Sequence, residues 1–229
     1  GFVLTSRSGF VTEPEATVSF TYVTAGGAEG ELRQTTKAEL KRWPYGDRGL
    51  YVTEMSFDSP GVWRLDVSVN GPGGSQRKAQ LDFEVLQSPS APAVGSPAVK
   101  SKTRTVADVD SLAKLTTGSL QDPDLYRTTI EAAVESGLPA VVVFASPAFC
   151  TNAVCGPQVD VLQQIKDQYQ GRGHFVHVDF YDNPQAIQGD LSRSELSPAV
   201  IEWNLPSIEW TFVIDSGGEI TARFEAFAT

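Results

Sequence analysis

Cysteine, methionine and histidine are scarce in this 229-residue chain, which contains two cysteines, one methionine and two histidines. Two cysteines cannot build the multi-bridge framework of a small disulfide-stabilised domain. The chain must therefore rely on an ordinary hydrophobic core, and its 41% hydrophobic content is sufficient for one. The length predicts one or two domains.

Positive charge is also in the minority, with 18 basic residues against 28 acidic ones and a formal net charge of -10. A surface of this sign repels phosphate backbones and anionic lipids, so we expect no nucleic-acid partner. No apolar run approaches the ~20 residues of a membrane span, and no secretory h-region is present. The chain opens on Gly1-Phe2-Val3 without methionine. We therefore predict an extracytoplasmic protein, secreted or membrane-anchored, whose targeting segment or anchor lies outside this chain.

Residues 1–86 show the two-residue period of strands that are buried on one face. Apolar and polar side chains alternate along 18–22, 51–57, 63–69 and 79–85, and glycine- and proline-rich turn signals separate these runs. Several short strands at this spacing predict an antiparallel β-sandwich. The run 59–69 resembles a hairpin of the immunoglobulin-like domains found on bacterial extracytoplasmic proteins.

Residues 87–105 are rich in serine, proline and alanine, and prolines at 89, 92 and 97 disfavour any regular element. We interpret this stretch as an extended linker. Its basic residues allow a second interpretation, a strip that docks onto the acidic domain that follows; they are Lys100, Lys102 and Arg104.

From residue 106 the pattern changes to an alternation of helices and strands. A helix is predicted from Asp122-Pro123 to Gly137, where its apolar stripe stops. Two strands, 140–144 and 175–178, flank a second predicted helix that ends at Gly171. A hairpin, 210–214 with 220–224, follows. This order predicts an α/β domain over 106–229.

Both cysteines lie between the first of these strands and the helix after it, in Phe149-Cys150-Thr-Asn-Ala-Val-Cys155-Gly-Pro. The start of a helix presents unpaired N–H groups and a partial positive charge, which activate a nearby thiol. The motif therefore indicates sulfur chemistry or a soft-metal site.

With these elements placed, residues 118–229 resemble a thioredoxin-fold domain. The resemblance rests on the strand, the cysteine motif, His177-Val-Asp179 and Asn204-Leu205-Pro206 before the hairpin. It implies a thiol–disulfide oxidoreductase without a cofactor, which uses the Cys150/Cys155 couple on protein thiols or disulfides. It also implies a cis peptide bond before Pro206, and substrate contacts from four residues: Pro206, Leu205, Phe149 and Trp210.

The chain departs from that family's pattern at two points. The family motif is Cys-Gly-Pro-Cys, whereas the two cysteines here are separated by four residues. Val143 stands where the family carries a buried aspartate, so we expect no general base beside the thiols. Because a complete fold of this family closes with a helix, we also expect the natural protein to continue past Thr229 with an amphipathic helix over Phe224 and Phe227.

Three other functions stay open. The protein is a non-catalytic surface protein if the cysteines form only a structural bridge in a binding module. Two thiolates could instead bind Cu(I), joined by a histidine; His174 and His177 are three residues apart on a strand and cannot chelate one ion together. Finally, 146–151 contains the proline, cysteine and threonine of a peroxiredoxin-like loop in a different order.

Overall fold

The computed structural model describes residues 1–7, 9–23, 30–43, 48–119, 121–149 and 155–226. The chain divides into two compact units, Gly1–Ser88 and Pro89–Ala228. No helix among these residues has the length and apolar character needed to cross a membrane.

The first unit is built from β-strands. A two-stranded ribbon precedes a five-stranded antiparallel sheet with the order β5-β4-β3-β6-β7. The strands are β1 Thr5–Ser6, β2 Gly9–Phe10, β3 Glu15–Tyr22, β4 Glu31–Arg42, β5 Gly49–Val52, β6 Gly61–Asn70 and β7 Gln76–Val85. A 3₁₀ turn, Pro72–Gly74, joins the last two.

One face of this sheet is buried, as the two-residue period of its strands requires. On β6, Trp63 is fully buried, whereas Arg64 points outward and forms a bidentate pair with Asp82 of β7 at 2.7 and 2.8 Å. Side chains from the N-terminal segment, Phe2 and Leu4, pack against this buried cluster.

The immunoglobulin-like sandwich predicted for 1–86 is wrong. The described residues of this unit form one five-stranded sheet and a short ribbon, with no second large sheet facing the first. The predicted strand 51–57 ends at Val52, and the longest strand, β4, has no counterpart in the prediction. The alternation of apolar and polar residues does not reveal β4, because most of its side chains are exposed or half-buried and only Ala38 is fully buried.

The second unit contains a four-stranded sheet with the order β11-β10-β8-β9. Its strands are β8 Ala140–Ala145, β9 His174–Asp179, β10 Trp210–Ile214 and β11 Ile220–Glu225. β8 and β9 are parallel, and the other pairs are antiparallel. The helices are α1 Ile130–Glu135, α2 Cys155–Gln168, α3 Pro184–Ile187 and α4 Pro198–Glu202, with 3₁₀ turns at Leu112–Lys114, Pro123–Tyr126 and Leu191–Arg193.

The α/β thioredoxin-like fold predicted for 106–229 is also wrong. The described chain is mostly β, with short helices, and its sheets are curled. Of the α-helices described, only α2 is longer than six residues. The helix predicted from 122 to 137 is broken in two, because Thr129 adopts an extended conformation and caps α1 with its side chain. The helical layers that an α/β domain needs are therefore not formed.

The stretch predicted as a linker belongs to the second unit from Pro89 onward. Ala91 and Ala98 are buried in the core of this unit. Two of the basic residues form ion pairs with acidic ones, Lys100 with Glu135 at 2.9 Å and Arg104 with Asp182 at 3.1 Å. These pairs agree with the second interpretation of the stretch, a basic strip docked on acidic side chains.

Candidate functional site

The cysteine motif follows β8 directly, at the carboxyl end of that strand. Cys155 is the first residue of α2, while Cys150 lies outside the described residues. The predicted Cys150/Cys155 couple therefore stays a prediction.

The start of α2 is fixed over the sheet by packing and by one buried hydrogen bond. Val159 and Leu162 are buried in a cluster with Val143 of β8. Gln158, only 2% exposed, donates through Nε2 to Thr211 Oγ1 of β10 at 3.1 Å. The first turn of the helix is thus held next to the beginning of β10.

The last turn of α2 is fixed by charge. Lys166 Nζ lies 2.5 Å from Asp122 and 3.5 Å from Asp124, and its side chain is only 16% exposed. Burial by itself would lower the pKa of Lys166, but hydrogen bonds to Asp122 and Asp167 raise it to about 12. The ammonium group stays charged at any physiological pH and anchors the helix to the 3₁₀ turn before α1.

A buried carboxyl group, Glu209, lies immediately before β10. Its side chain is 3% exposed, and neither carboxyl oxygen has a hydrogen-bond partner among the described residues. Burial alone raises the pKa of Glu209 to about 8. At neutral pH this carboxyl group is therefore mostly protonated, which is rare for a glutamate.

The register of the sheet places Glu209 on the face of the sheet that α2 covers. Its backbone carbonyl accepts from Ala226 N at 3.0 Å, which extends the β10–β11 ladder by one residue. Because side chains alternate along a strand, Glu209 shares a face with Thr211, the partner of Gln158. Trp210 pairs with Phe144, so Glu209 lies level with the end of β8, where the chain leaves for the cysteine motif.

Glu209 and the first residue of α2 lie towards the same end of the sheet. Counted from the Gln158–Thr211 hydrogen bond, Glu209 is two residues back along β10, ~7 Å at the usual strand rise. Residue 155 is one turn back along α2, ~4.5 Å at the helical rise. Since β10 runs antiparallel to β8 and α2 begins beyond the end of β8, both steps lead to that same end.

The predicted substrate-binding residues differ in their exposure. Leu205 and Trp210 are buried in the core, where Trp210 stacks on Phe212 and donates to Ser207. Phe149 is half-buried against Tyr181, and Pro206 alone is exposed.

The predicted cis bond before Pro206 is wrong, because no peptide bond among the described residues is cis. The chain turns here by another device: Asn204 adopts a left-handed conformation with φ of 48°. Leu205 N then bonds back to Val200 O at 3.2 Å, which closes the turn with a trans bond at Leu205–Pro206.

A second buried polar cluster supports the segment that leads from β8 to the motif. Asp179, 3% exposed, accepts from Thr117 N at 2.7 Å, Thr117 Oγ1 at 2.8 Å, Ser146 Oγ at 2.8 Å and Tyr181 N at 3.1 Å. Thr117 Oγ1 also accepts from Ala148 N at 3.2 Å. All these donors are paired, so the cluster fixes the backbone just before the cysteine motif.

His177 lies beside this cluster and is fully engaged. Its Nδ1 is 2.6 Å from Tyr126 Oη, and its Nε2 is 3.1 Å from the Ala145 carbonyl. Burial lowers the pKa of His177, although Asp179 acts in the opposite direction, so the ring is neutral at physiological pH. Neither nitrogen is free for a metal, and the described residues contain no group of three metal-ligating side chains. His177 is therefore engaged elsewhere, and His174 pairs with Ala140 at the beginning of β8, the opposite end of that strand from the cysteine motif.

The sequence interpretation missed Glu209, although one signal could have found it. An acidic residue stands between Ile208 and the apolar strand Trp210–Ile214. Strand alternation puts that acid on the face covered by α2.

No protein-family model, curated protein or solved structure matches this chain. The resemblance noted for the cysteine motif therefore stays a prediction. The function has to be argued from the residues themselves.

Proposed function

We propose that this chain carries out thiol–disulfide exchange with Cys150 and Cys155 as its redox couple. The observation that carries the proposal is the position of the only two cysteines. In the sequence they flank the start of α2, the longest helix described, at the end of the sheet where a carboxyl group is buried with no hydrogen-bond partner among the described residues. A helix start favours a thiolate, and a carboxyl group that is protonated at neutral pH can exchange protons with thiols.

The substrates are protein thiols or disulfides, and the chemistry needs no cofactor. The thiolate of one cysteine attacks a substrate disulfide, which gives a mixed disulfide and releases one substrate thiolate. The second cysteine then attacks the mixed disulfide, releases the other substrate thiol and leaves the couple oxidised. Turnover in this direction requires an external thiol donor that reduces the couple again. We place the protein outside the cytoplasm, where cysteine pairs are commonly oxidised.

The test uses the whole chain and its single-cysteine variants, C150S and C155S. We expect wild type to reduce insulin with a thiol donor, and each variant to lose turnover. One variant should accumulate a mixed disulfide that mass spectrometry detects, because its attacking thiol remains while the resolving thiol is gone. Protein whose thiols are blocked with iodoacetamide is the matched control for the background reaction.

A second candidate function is favoured by a specific observation. Leu205 and Trp210, two of the four predicted substrate contacts, are buried in the core, which leaves little of their side chains for a substrate to contact. This favours a surface protein in which the cysteines form a structural bridge in a binding module. Glutathione titration separates the two functions. A couple with a potential below about -300 mV and no exchange activity would support the structural bridge.

A further inference from the structure

We propose that the free edge of β7 binds a second copy of this chain, whose own β7 adds antiparallel to it and forms a symmetric dimer. β7, Gln76–Val85, is the last strand of the first unit's sheet and pairs on one side only, with β6. No backbone hydrogen bond joins its other side to any described residue. The proposal does not depend on the thiol–disulfide chemistry.

The two edges of this five-stranded sheet differ in how they are protected. At one edge, β5 has only four residues, and its Tyr51 exchanges two backbone hydrogen bonds of 2.9 Å with Phe2. At the other edge, β7 runs for ten residues without proline and without a register shift against β6, and its first seven residues are all exposed. Short strands, covering segments, prolines and bulges usually protect a sheet edge, and in the described chain β7 has none of these four.

The register of β7 on β6 determines which of its backbone groups point to the free side. Gly71 N donates to Ser75 O at 2.8 Å, so the residue pairs bonded across the two strands are those in step with this pair. The residues between them point away from the partner strand. On β6, Val62 is such a residue, and its carbonyl accepts from Val23 N at 2.9 Å on the β3 side. On β7, the outward set is therefore the even-numbered residues from 76 to 84.

A second β7 fits this edge in a register that pairs the whole outward set. With Gln80 of one copy opposite Gln80 of the other, residues 76 to 84 lie opposite 84 to 76, and every outward residue faces an outward residue. Each such pair exchanges two hydrogen bonds, about ten in all. The interface is closed by a two-fold axis, because each copy has a single free edge of this kind.

Charge complementarity favours a second copy as the occupant. In this register Lys78 of one copy lies opposite Asp82 of the other, and the two-fold axis repeats the pair. Within each copy Asp82 is bonded to Arg64 of β6 at 2.7 and 2.8 Å, so the sign of charge alternates across the joined sheet. β7 itself carries two basic and two acidic side chains, although the chain has a net charge of -10. The edge is thus self-complementary on an otherwise acidic protein.

Leu81 supplies an apolar centre for the interface. It lies on the face of the sheet that is buried elsewhere, opposite Leu65 of β6, yet Leu81 is 61% exposed whereas Leu65 is 8% exposed. In the proposed register Leu81 lies opposite Ala79 of the second copy and diagonal to the second Leu81. Ala79 is also exposed in the single chain. Pairing therefore removes apolar side chains of both copies from water.

The first experiment measures the mass of the full chain by sedimentation velocity at about 1 to 300 µM, with a reductant that prevents cysteine-linked dimers. We expect wild type to dimerise and L81K to weaken the dimer at least about tenfold, because two ammonium groups replace the apolar centre. L32K is the matched control and should keep the wild-type affinity, since Leu32 is 60% exposed on β4 of the same sheet. Equal effects of the two variants would overturn the proposal. A monomeric wild type would also overturn it and leave the edge to a strand of a different protein.

A charge exchange tests the register. K78E places two carboxylates opposite each other and D82K places two ammonium groups opposite each other, so each variant alone should dimerise more weakly than wild type. A mixture of the two variants restores opposite charges at both positions, and we expect native mass spectrometry of it, with one variant labelled with nitrogen-15, to show mainly the mixed dimer. K41E makes the same charge change on β4 and should leave the dimer intact. A mixture with no preference for the mixed dimer would overturn the proposal.

A final measurement uses wild type alone. Amide hydrogen exchange of residues 76–84 is followed by NMR at low and high protein concentration. We expect the even-numbered amides to gain protection at high concentration, while the odd-numbered ones, bonded to β6, are protected at both. Even-numbered amides that exchange equally fast at both concentrations would overturn the proposal.

Discussion

The buried carboxyl group of Glu209 makes a strong prediction about stability, independent of catalysis. Its pKa rises from an ordinary value of 4.5 to about 8 in the folded chain. Below pH 4.5 the group is neutral in both folded and unfolded states. Between pH 4.5 and about 8 the unfolded chain ionises while the folded chain stays protonated. The stability contributed by the folded protonated form is therefore lost as the pH rises through this window.

The expected magnitude follows from the size of the shift. Each pH unit in the window costs about 1.4 kcal/mol, so the full shift corresponds to a loss of about 5 kcal/mol between pH 4 and pH 9. That is comparable with the whole stability of a small domain. A glutamine at this position has no proton to exchange. The free energy of unfolding of E209Q, minus that of wild type, should therefore rise by about this amount as the pH is raised from 4 to 9.

The measurement needs a probe confined to the second unit. We would unfold both proteins in urea at a series of pH values and pulse-label them with deuterium. Peptides covering 203–214 then report the unfolding of the sheet that contains β10. Both proteins would carry C150S and C155S, so that thiol ionisation does not contribute. The free energy of unfolding of the E209Q protein, minus that of its Glu209 counterpart, should change across the series. If this difference stays constant within about 1 kcal/mol, the raised pKa of Glu209 and the burial argument behind it are refuted.

Two further substitutions, D179A and K166M, test the elements that hold the site, and each is compared with a control substitution at an exposed ion pair. D179A should destabilise the second unit by about 3 kcal/mol in urea titrations, because it leaves the donors of Thr117, Ser146 and Tyr181 without their acceptor. D182A, which removes only the exposed pair with Arg104, should cost less than about 1 kcal/mol, and equal effects of the two changes would contradict this reasoning. K166M should cost about 2 kcal/mol, because the pair with Asp122 is largely buried, whereas K114M should cost a few tenths, since its pair with Asp110 is exposed. A K166M protein as stable as K114M would show that the last turn of α2 is held by packing alone.

The strands that the sequence predicts well are those whose local pattern matches their burial. β6 alternates strictly between buried and outward side chains, and β8 is a continuous apolar run that is buried on both faces. In each case the residues of the strand itself are enough to predict it. β4 has twelve residues but only Ala38 is fully enclosed, so its pairing with β3 and β5 is set by its neighbours rather than by its own pattern.

The helix predicted from Asp122 to Gly137 fails for the opposite reason, because its local signals are real but short, whereas the second predicted helix is present as α2. Asp122 caps a turn and Pro123 starts one, as a helix beginning would. Thr129 then offers a second cap three residues after Tyr126, and the chain restarts there instead of continuing. Sequence periodicity cannot distinguish one long helix from two capped pieces on the same face. The break contributes to the error in fold class, since the predicted helical layers needed this helix as well as α2.

Only part of the candidate site could be predicted from the sequence. The position of the cysteines at a strand–helix junction follows from local residue patterns, and α2 does begin at Cys155. The Pro206 prediction came from resemblance rather than from residue physics, and the left-handed Asn204 makes the turn without a cis bond. The Glu209 environment depends on α2 covering one face of β10, a long-range contact that no local pattern encodes.

Asp179 and Glu209, two buried carboxyl groups of the second unit, differ in whether they have hydrogen-bond partners. Both are 3% exposed, and both lie at the edge of the sheet where β8 ends. Asp179 is surrounded by hydrogen-bond donors, and its removal should be felt as lost stability. Glu209 has no partner among the described residues, and its replacement by glutamine should increase stability at neutral pH. Opposite signs of stability change for two acids of equal burial would show that hydrogen-bond donors, and not burial alone, decide what a buried carboxyl group contributes to stability.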